Sequence, residues 1–203
     1  MAPTASSSSI SSTALSTSHP CSSLRKSRVT VRSYLPTDQA AVEELFADGM
    51  RSYTHHDALS QQGLERYIRR ALQQDLADIE AAYFQCGGHF WVATVMDDQE
   101  DEEIVVGMVA LENKGDRRGE LRRLSVHRKH RRQGVARLLV AALEQWATVA
   151  GFEAVELNTG DTMAAACSLY PALGYSKVRS QTICVCPRYV ALFFEKRLTD
   201  AVS

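Results

Sequence analysis

The stretch from Glu120 to Ala136, ELRRLSVHRKHRRQGVA, constrains the fold most, because a strand-like segment there leads into a basic loop and a glycine opens a long apolar helix. Backbone N–H groups in the first turn of a helix have no intrahelical partner and lie at the positive end of the helix dipole. Gly134 allows close approach to the main chain, small Ala136 leaves space above the helix, and Arg131 and Arg132 add positive charge. The stretch therefore predicts a binding site for a diphosphate, although it is neither a Walker loop nor a dinucleotide fingerprint.

The rest of the chain alternates between strand and helix patterns. The segments with strand patterns are RVTVRSYLP from Arg28, HFWVATVMD, EIVVGMVALEN, ELRRLSV, AVELN, YSKV and YVALFFEKRL. The segments with helical periodicity are 38–50, 60–84, 135–150 and one that begins near Asp161 or Thr162 and ends at Gly174. This order predicts an α/β protein with a mixed central sheet of about seven strands and flanking helices.

Composition narrows the function classes. The 203 residues include 23 Lys plus Arg and 24 Asp plus Glu, a balance that by itself indicates no polyanionic partner. The longest apolar stretch, 104–111, is far shorter than the roughly 20 residues of a membrane-spanning helix, so we expect no membrane segment. The five cysteines form no C-x-x-C pair, and we expect no structural metal, no disulfide framework and a reducing compartment.

The chain changes character near its beginning. Residues 1–27 are rich in serine, contain Arg25 and Lys26, and precede the first acidic residue, Asp38. Such a segment predicts a disordered tail, and its composition is also that of an organellar transit peptide. We therefore expect one domain over 28–198, a short tail at 199–203 and a cytoplasmic location, with organellar import through residues 1–27 as the alternative.

The spacing Arg131-x-x-Gly134-x-Ala136, followed by SLYPALGY, resembles the signature of the GNAT superfamily of N-acetyltransferases over about 28–198. The resemblance implies the GNAT acyl-CoA-binding fold, with acetyl-CoA as co-substrate and an amine as the second partner. In this family the fourth strand splays from the fifth, so that the main chain at 124–126 pairs with the pantetheine arm while the basic loop holds the pyrophosphate. The cofactor-binding residues implied are Leu124, Ser125, Val126, Arg131, Arg132, Gln133, Gly134, Val135, Ala136, Arg137, Asn158 and Tyr170.

The resemblance also implies a general base at Glu120. A lysine amine with a pKa near about 10.4 is protonated at neutral pH and must lose a proton before it attacks a thioester. Strand alternation predicts that Glu120 shares a face with Arg122, Leu124 and Val126. The alternative is that Glu120 only pairs with a neighbouring arginine, in which case Glu112, or Asn158 through a water molecule, are the other candidates.

Tyr170 matches the family tyrosine that donates to the departing sulfur. Two departures from the family pattern lie beside it: Pro171 directly follows, and Met163 stands where many relatives have a coenzyme-binding asparagine. Cys167 lies one helical turn before Tyr170, but no histidine partner is evident, so the sequence favours direct transfer over a covalent cysteine route.

Two non-enzymatic alternatives remain at this point. The first is a non-catalytic domain that binds acyl-CoA and regulates a partner. The second is a nucleic-acid-binding module, because residues 117–132 contain eight Lys or Arg and one Glu. The acceptor is not identified by the sequence; the segments expected to select it are 49–63, which includes His55, His56 and Asp57, and 180–188.

Overall fold

The computed structural model describes residues 28–52, 58–97, 102–186 and 188–198. The segments 1–27 and 199–203, and the His55–Asp57 cluster, lie outside the described residues. The helices are α1 (Gln39–Arg51), α2 (Ala58–Gln73), α3 (Val135–Val149) and α4 (Ala164–Ala172). The strands are β1 (Thr30–Ser33), β2 (His89–Met96), β3 (Glu103–Asn113), β4 (Arg118–Val126), β5 (Ala154–Gly160), β6 (Ser176–Val185) and β7 (Arg188–Arg197). Within these residues no helix has the length and apolarity needed to span a membrane.

The seven strands form one sheet in the order β1-β2-β3-β4-β5-β7-β6. Every neighbouring pair is antiparallel except β4 and β5, which are parallel. This confirms the predicted mixed sheet with flanking helices. The single parallel pair is at the centre of the sheet, and α3 makes the crossover between its two strands.

Apolar residues pack against both faces of the sheet. On one face, α1 and α2 cover β2 and β3, with Phe46, Ile68 and Phe90 fully buried among them. On the other face, α3 and α4 pack over β2 to β5 and β7 through residues such as Leu139 and Leu143. The two helical layers hold the sheet in place, so the loops at the ends of β4 and β5 are presented on a rigid scaffold.

The predicted helix over 60–84 is wrong as a single element. The α-helix ends at Gln73, and a separate π-helical turn follows at Glu80–Phe84. The carboxylate of Asp78, just before the new turn, accepts a hydrogen bond from the backbone N–H of Ala81 at 2.9 Å. Asp75 lies in this interruption, and its carboxylate binds Arg123 in β4.

The predicted four-residue strand YSKV, residues 175–178, is wrong in its bounds, because the observed strand β6 begins at Ser176 and has ten residues. All ten residues are exposed, and β6 is the last strand of the sheet, paired only with β7. A strand that is exposed on both faces carries no hydrophobic alternation, which explains why the sequence pattern revealed only its beginning.

Candidate functional site

β4 and β5 pair over only three residues. The pairs are Arg118 with Ala154, Gly119 with Val155, and Glu120 with Glu156. Beyond Glu120, β4 continues to pair with β3, whereas β5 pairs with β7. The backbone of 124–126 therefore faces β5 without a ladder partner there, which fits the predicted place for the pantetheine arm.

A β-bulge at Arg123 changes the direction of the side chains in β4. Arg123 has a φ of 58°, and the β3–β4 register shifts between Met108 and Ala110, opposite this point. Leu124 consequently packs against the same core as Leu121. The prediction that Leu124 and Val126 share a face with Glu120 is therefore wrong, because a bulge moves the following residues to the other face.

Arg123 is held at the bulge by several partners. Its side chain is 5% exposed and makes two hydrogen bonds to the carboxylate of Asp75, at 2.8 and 2.5 Å. Its Nη1 donates to the Tyr67 hydroxyl at 3.0 Å, and the guanidinium lies 4.9 Å from the ring centroid of Phe46. Positive φ is costly for a residue with a side chain, so these contacts stabilise the bulge beside the proposed pantetheine segment. Nothing in the sequence indicated the contact between Asp75 and Arg123.

The basic loop ends at Gly134, which precedes the first turn of α3. Gly134 has a φ of 88°, and a Cβ built there would meet no atom within 4 Å, so the space in front of the helix is open. The side chain of Val135 is buried in the core, which anchors this end of the helix. Arg132 is exposed, and Ala136 is half-buried. An open helix N-terminus next to an exposed arginine suits the diphosphate predicted from the sequence.

Three other residues predicted to bind the cofactor make contacts within the protein. Arg131 donates to the Val126 carbonyl at 3.0 Å and to the Ser52 hydroxyl at 2.9 Å, and so joins the loop to β4 and to the end of α1. Gln133 donates to the Lys129 carbonyl at 2.9 Å and closes the loop on itself. Arg137 reaches from α3 to the Ala172 carbonyl at 3.4 Å. The contacts of Arg131 and Gln133 hold the loop, and that of Arg137 joins α3 to α4. Direct binding of the diphosphate by these three side chains stays a prediction.

Glu120 and Asn158 meet where the β4–β5 pairing ends. Asn158 Nδ2 donates to Glu120 Oε1 at 3.1 Å, and Lys114 Nζ lies 3.2 Å from Glu120 Oε2. The described partners of Glu120 are thus a lysine and an amide, whereas the sequence suggested an arginine as the alternative partner. Lys114, in the β3–β4 connection, is the residue that sequence reasoning missed here. The structure thus places Glu120 of β4 and Asn158 of β5 side by side where the two strands separate.

Glu112 is a weaker candidate for the base. Its carboxylate pairs with Lys114 and Arg122. Burial raises the pKa of Glu112, but the hydrogen bonds and charges of Lys114 and Arg122 outweigh burial, and the net shift is downward. A carboxylate with a lowered pKa is a poorer proton acceptor, which weighs against Glu112 as the base.

Tyr170 lies in the core between α4 and the sheet. It is 6% exposed, and its ring contacts Tyr175 edge-on, with centroids 5.8 Å apart, and Phe194, with centroids 5.9 Å apart. α4 continues through Pro171 to Ala172, so Pro171 leaves Tyr170 within the helix. Met163 precedes the helix and its sulfur accepts a hydrogen bond from the Thr159 hydroxyl. The aromatic packing fixes the ring of Tyr170, as a positioned acid requires.

Cys167 is a poor nucleophile. Burial raises the pKa of its thiol, and the nearby Asp161 raises it further. Because the thiolate is the reactive form, this environment disfavours a covalent route through Cys167.

Half of the basic residues in 117–132 are paired within the fold. Arg117 binds Glu153, Arg118 binds both Glu156 and Glu195, and the other two pairs are Arg122 with Glu112 and Arg123 with Asp75. Charges neutralised in this way do not form a continuous basic surface, which weighs against nucleic acid as the ligand.

The comparison with family models matches residues 40–175 to the acetyltransferase (GNAT) family. The chain belongs to the GNAT family of acetyltransferases, and its domain is an acyltransferase domain.

Curated relatives agree with this family. N-acetyltransferase family 8 member 2 of Rattus norvegicus is 37% identical over 131 residues, which cover 62% of this chain and 55% of the relative. The N-acetylaspartate synthetase of Danio rerio is 38% identical over 114 residues, which cover 55% of this chain and 38% of the relative. The matched region is thus little more than half of the first relative and less than half of the second.

Solved structures share the fold. The acetyltransferase of the GNAT family from Staphylococcus aureus Mu50 superposes with a TM-score of 0.66 at 17% identity and covers 85% of this chain and all of that chain. The PaiA N-acetyltransferase from Thermoplasma acidophilum, solved in complex with coenzyme A, gives a TM-score of 0.65 at 15% identity over 84% of this chain and 99% of that chain. The predicted GNAT fold is confirmed.

Proposed function

We propose that this protein transfers the acetyl group of acetyl-CoA directly to a primary amine within a ternary complex. The observation that carries the proposal is the meeting of Glu120 and Asn158 where β4 separates from β5. Acetyl-CoA supplies an activated thioester, and its predicted ligands are the main chain of 124–126 and the open N-terminus of α3. These lie on the strand that carries Glu120 and on the helix that follows it.

The two side-chain roles follow from the chemistry of amide formation. Glu120 accepts the proton that the amine loses as the new N–C bond forms. Tyr170 donates a proton toward the sulfur as the C–S bond breaks, so that coenzyme A leaves as a thiol. Asn158 has no acidic or basic group and acts by orienting Glu120 or a water molecule between Glu120 and the amine.

Relatives named for N-acetyl transfer support an amine acceptor. The Danio rerio relative is named as an N-acetylaspartate synthetase. We take the acceptor of this chain to be a primary amine, and we place the protein in the cytoplasm.

Thiol release from acetyl-CoA across a panel of amines tests this function. We expect thiol and acetylated amine to form in equal amounts, and initial-rate lines to intersect when both substrates are varied. Parallel lines would contradict direct transfer. Binding of acetyl-CoA with no thiol release for any amine would instead indicate the non-catalytic acyl-CoA-binding domain.

A further inference from the structure

A cavity of about 220 Å³ lies between α2 and β4 and has no role in the mechanism above. Its lining residues are Tyr67, Arg70, Ala71, Gln74, Arg122 and Arg123. Three of the six carry guanidinium groups, and none carries a carboxylate. We refer to it as the arginine cavity.

The three arginines differ in how many of their guanidinium N–H groups bind other side chains. Arg123 is buried, and its charge is paired with the Asp75 carboxylate at the bulge. Among the described residues, Arg122 has a single hydrogen-bonding partner, the Glu112 carboxylate, and Arg70 donates from Nε to the Gln74 side chain at 3.1 Å. A guanidinium has five N–H donors, so Arg122 and Arg70 retain donors for a ligand.

Charge also favours an anionic occupant. The guanidinium groups of the cavity have two described carboxylate partners, Asp75 and Glu112, and Glu112 is shared with Lys114. Arg70 has no ion-pair partner within the described residues. The wall therefore carries an excess of positive charge, and arginine binds a carboxylate with two parallel hydrogen bonds.

The cavity adjoins the proposed base along β4. Glu120 and Arg122 are two residues apart, precede the bulge and share a strand face, so their Cα atoms are about 6.6 Å apart. One small molecule that bears an amine and a carboxylate spans this separation. Glu112 lies opposite Glu120 in β3 and binds Arg122, which connects the two positions.

We propose that the arginine cavity binds a carboxylate of the amine acceptor, with Arg122 and Arg70 as the donors. This inference rests on the proposed function and narrows the acceptor to small amines that carry a free carboxylate, such as amino acids. A peptide acceptor lacks the carboxylate beside its terminal amine, because that group is in an amide bond.

The experiment compares L-leucine, L-leucinamide and 3-methylbutylamine as acceptors for the wild-type protein, Arg122→Gln, Arg70→Gln and the control Arg69→Gln. Arg69 is exposed on α2 beside Arg70 and does not line the cavity. We expect wild type to prefer the amino acid by about tenfold or more in kcat/KM, and each cavity variant to lose most of that preference, mainly through KM. The Arg69→Gln variant should retain the preference.

Two results would overturn the inference. One is equal kcat/KM for the three acceptors in wild type. The other is a cavity variant that loses activity toward all three acceptors by the same factor, which indicates a structural effect. Calorimetric titration of N-acetyl-L-leucine into the protein with coenzyme A bound separates this site from catalysis. If no amine is acetylated, the proposed function fails. The binding of N-acetyl-L-leucine then tests the carboxylate site by itself: binding that Arg122→Gln weakens supports the site, and absence of binding overturns it.

Discussion

Asn158 in β5 donates a hydrogen bond to Glu120 in β4 at 3.1 Å, immediately beyond the last residue pair that joins the two strands. The contact bridges the strands where their ladder stops. It holds the Glu120 carboxylate on the side toward β5, where the acetyl donor is expected.

Replacing Glu120 by Gln should lower kcat by about 100-fold or more, because positioned general bases contribute roughly 10² to 10⁴. Glutamine keeps the size and the hydrogen-bonding oxygen, so affinity for acetyl-CoA should change little. Glu156→Gln is the matched control, since Glu156 lies opposite Glu120 in β5 and pairs with Arg118. Steady-state kinetics on both variants check this, and equal losses would assign Glu120 a structural role.

Replacing Tyr170 by Phe should lower kcat by about tenfold or more while the affinity for acetyl-CoA stays the same. Phenylalanine preserves the ring contacts with Tyr175 and Phe194, so the melting temperature should change little. Tyr175→Phe removes a hydroxyl from the same aromatic cluster and should retain turnover. Unchanged kcat in Tyr170→Phe would remove Tyr170 as the acid.

The Asp75–Arg123 pair should make stability depend on pH in the acid range. Burial raises the pKa of Asp75, but the hydrogen bonds and charge of Arg123, together with the hydrogen bond from Tyr83 and the charge of Arg122, outweigh burial, and the net shift is downward. Because the folded-state pKa lies below the unfolded value of about 3.9, the pair stabilises the fold above that pH. Its contribution is lost as the pH falls through the lower, folded-state pKa.

Asp75→Asn should therefore cost about 3 to 5 kcal/mol in unfolding free energy at neutral pH, because it leaves a buried guanidinium without its charge partner. The loss of stability below about pH 4 should be shallower in this variant than in wild type. Denaturant titrations across pH measure both effects. Glu65→Gln, which removes the exposed pair with Arg51, should change stability little, and a similar loss in both variants would contradict this account.

Gly134→Ala should weaken acetyl-CoA binding as well as stability. Alanine at a φ of 88° is strained, and this costs about 1 to 2 kcal/mol or displaces the loop in front of α3. Gly151 after α3 has a φ of 85°, and a Cβ there also meets nothing within 4 Å, so Gly151→Ala is a control with the same strain. We expect similar melting shifts for the two variants, but weaker acetyl-CoA binding in Gly134→Ala alone. Equal acetyl-CoA affinities in the two variants would contradict binding of acetyl-CoA at the N-terminus of α3.

The sequence predicted the central part of the fold because its signals there are local. The strand of β4, the glycine before α3 and the apolar helix are adjacent in the chain, and each leaves a periodic or compositional pattern. Tyr170 in α4 was likewise predicted from a local pattern, the segment SLYPALGY.

The parts that sequence reasoning missed depend on contacts between distant residues. Arg123 at the bulge binds Asp75, which lies 48 positions earlier in the chain, after the end of α2. The partners of Glu120, Lys114 and Asn158, come from two other segments of the chain. No periodicity encodes such pairs, so the candidate residues could be named from the sequence while their partners could not.

Calorimetric titration of acetyl-CoA into the purified protein tests the central claim most directly. We expect saturable binding that Arg132→Glu weakens by about tenfold or more, since the exposed Arg132 adjoins the open N-terminus of α3. The remote charge reversal Arg69→Glu should leave the affinity unchanged. Absence of both binding heat and a melting shift for the wild-type protein at saturating acetyl-CoA would contradict the claim that this protein binds acetyl-CoA.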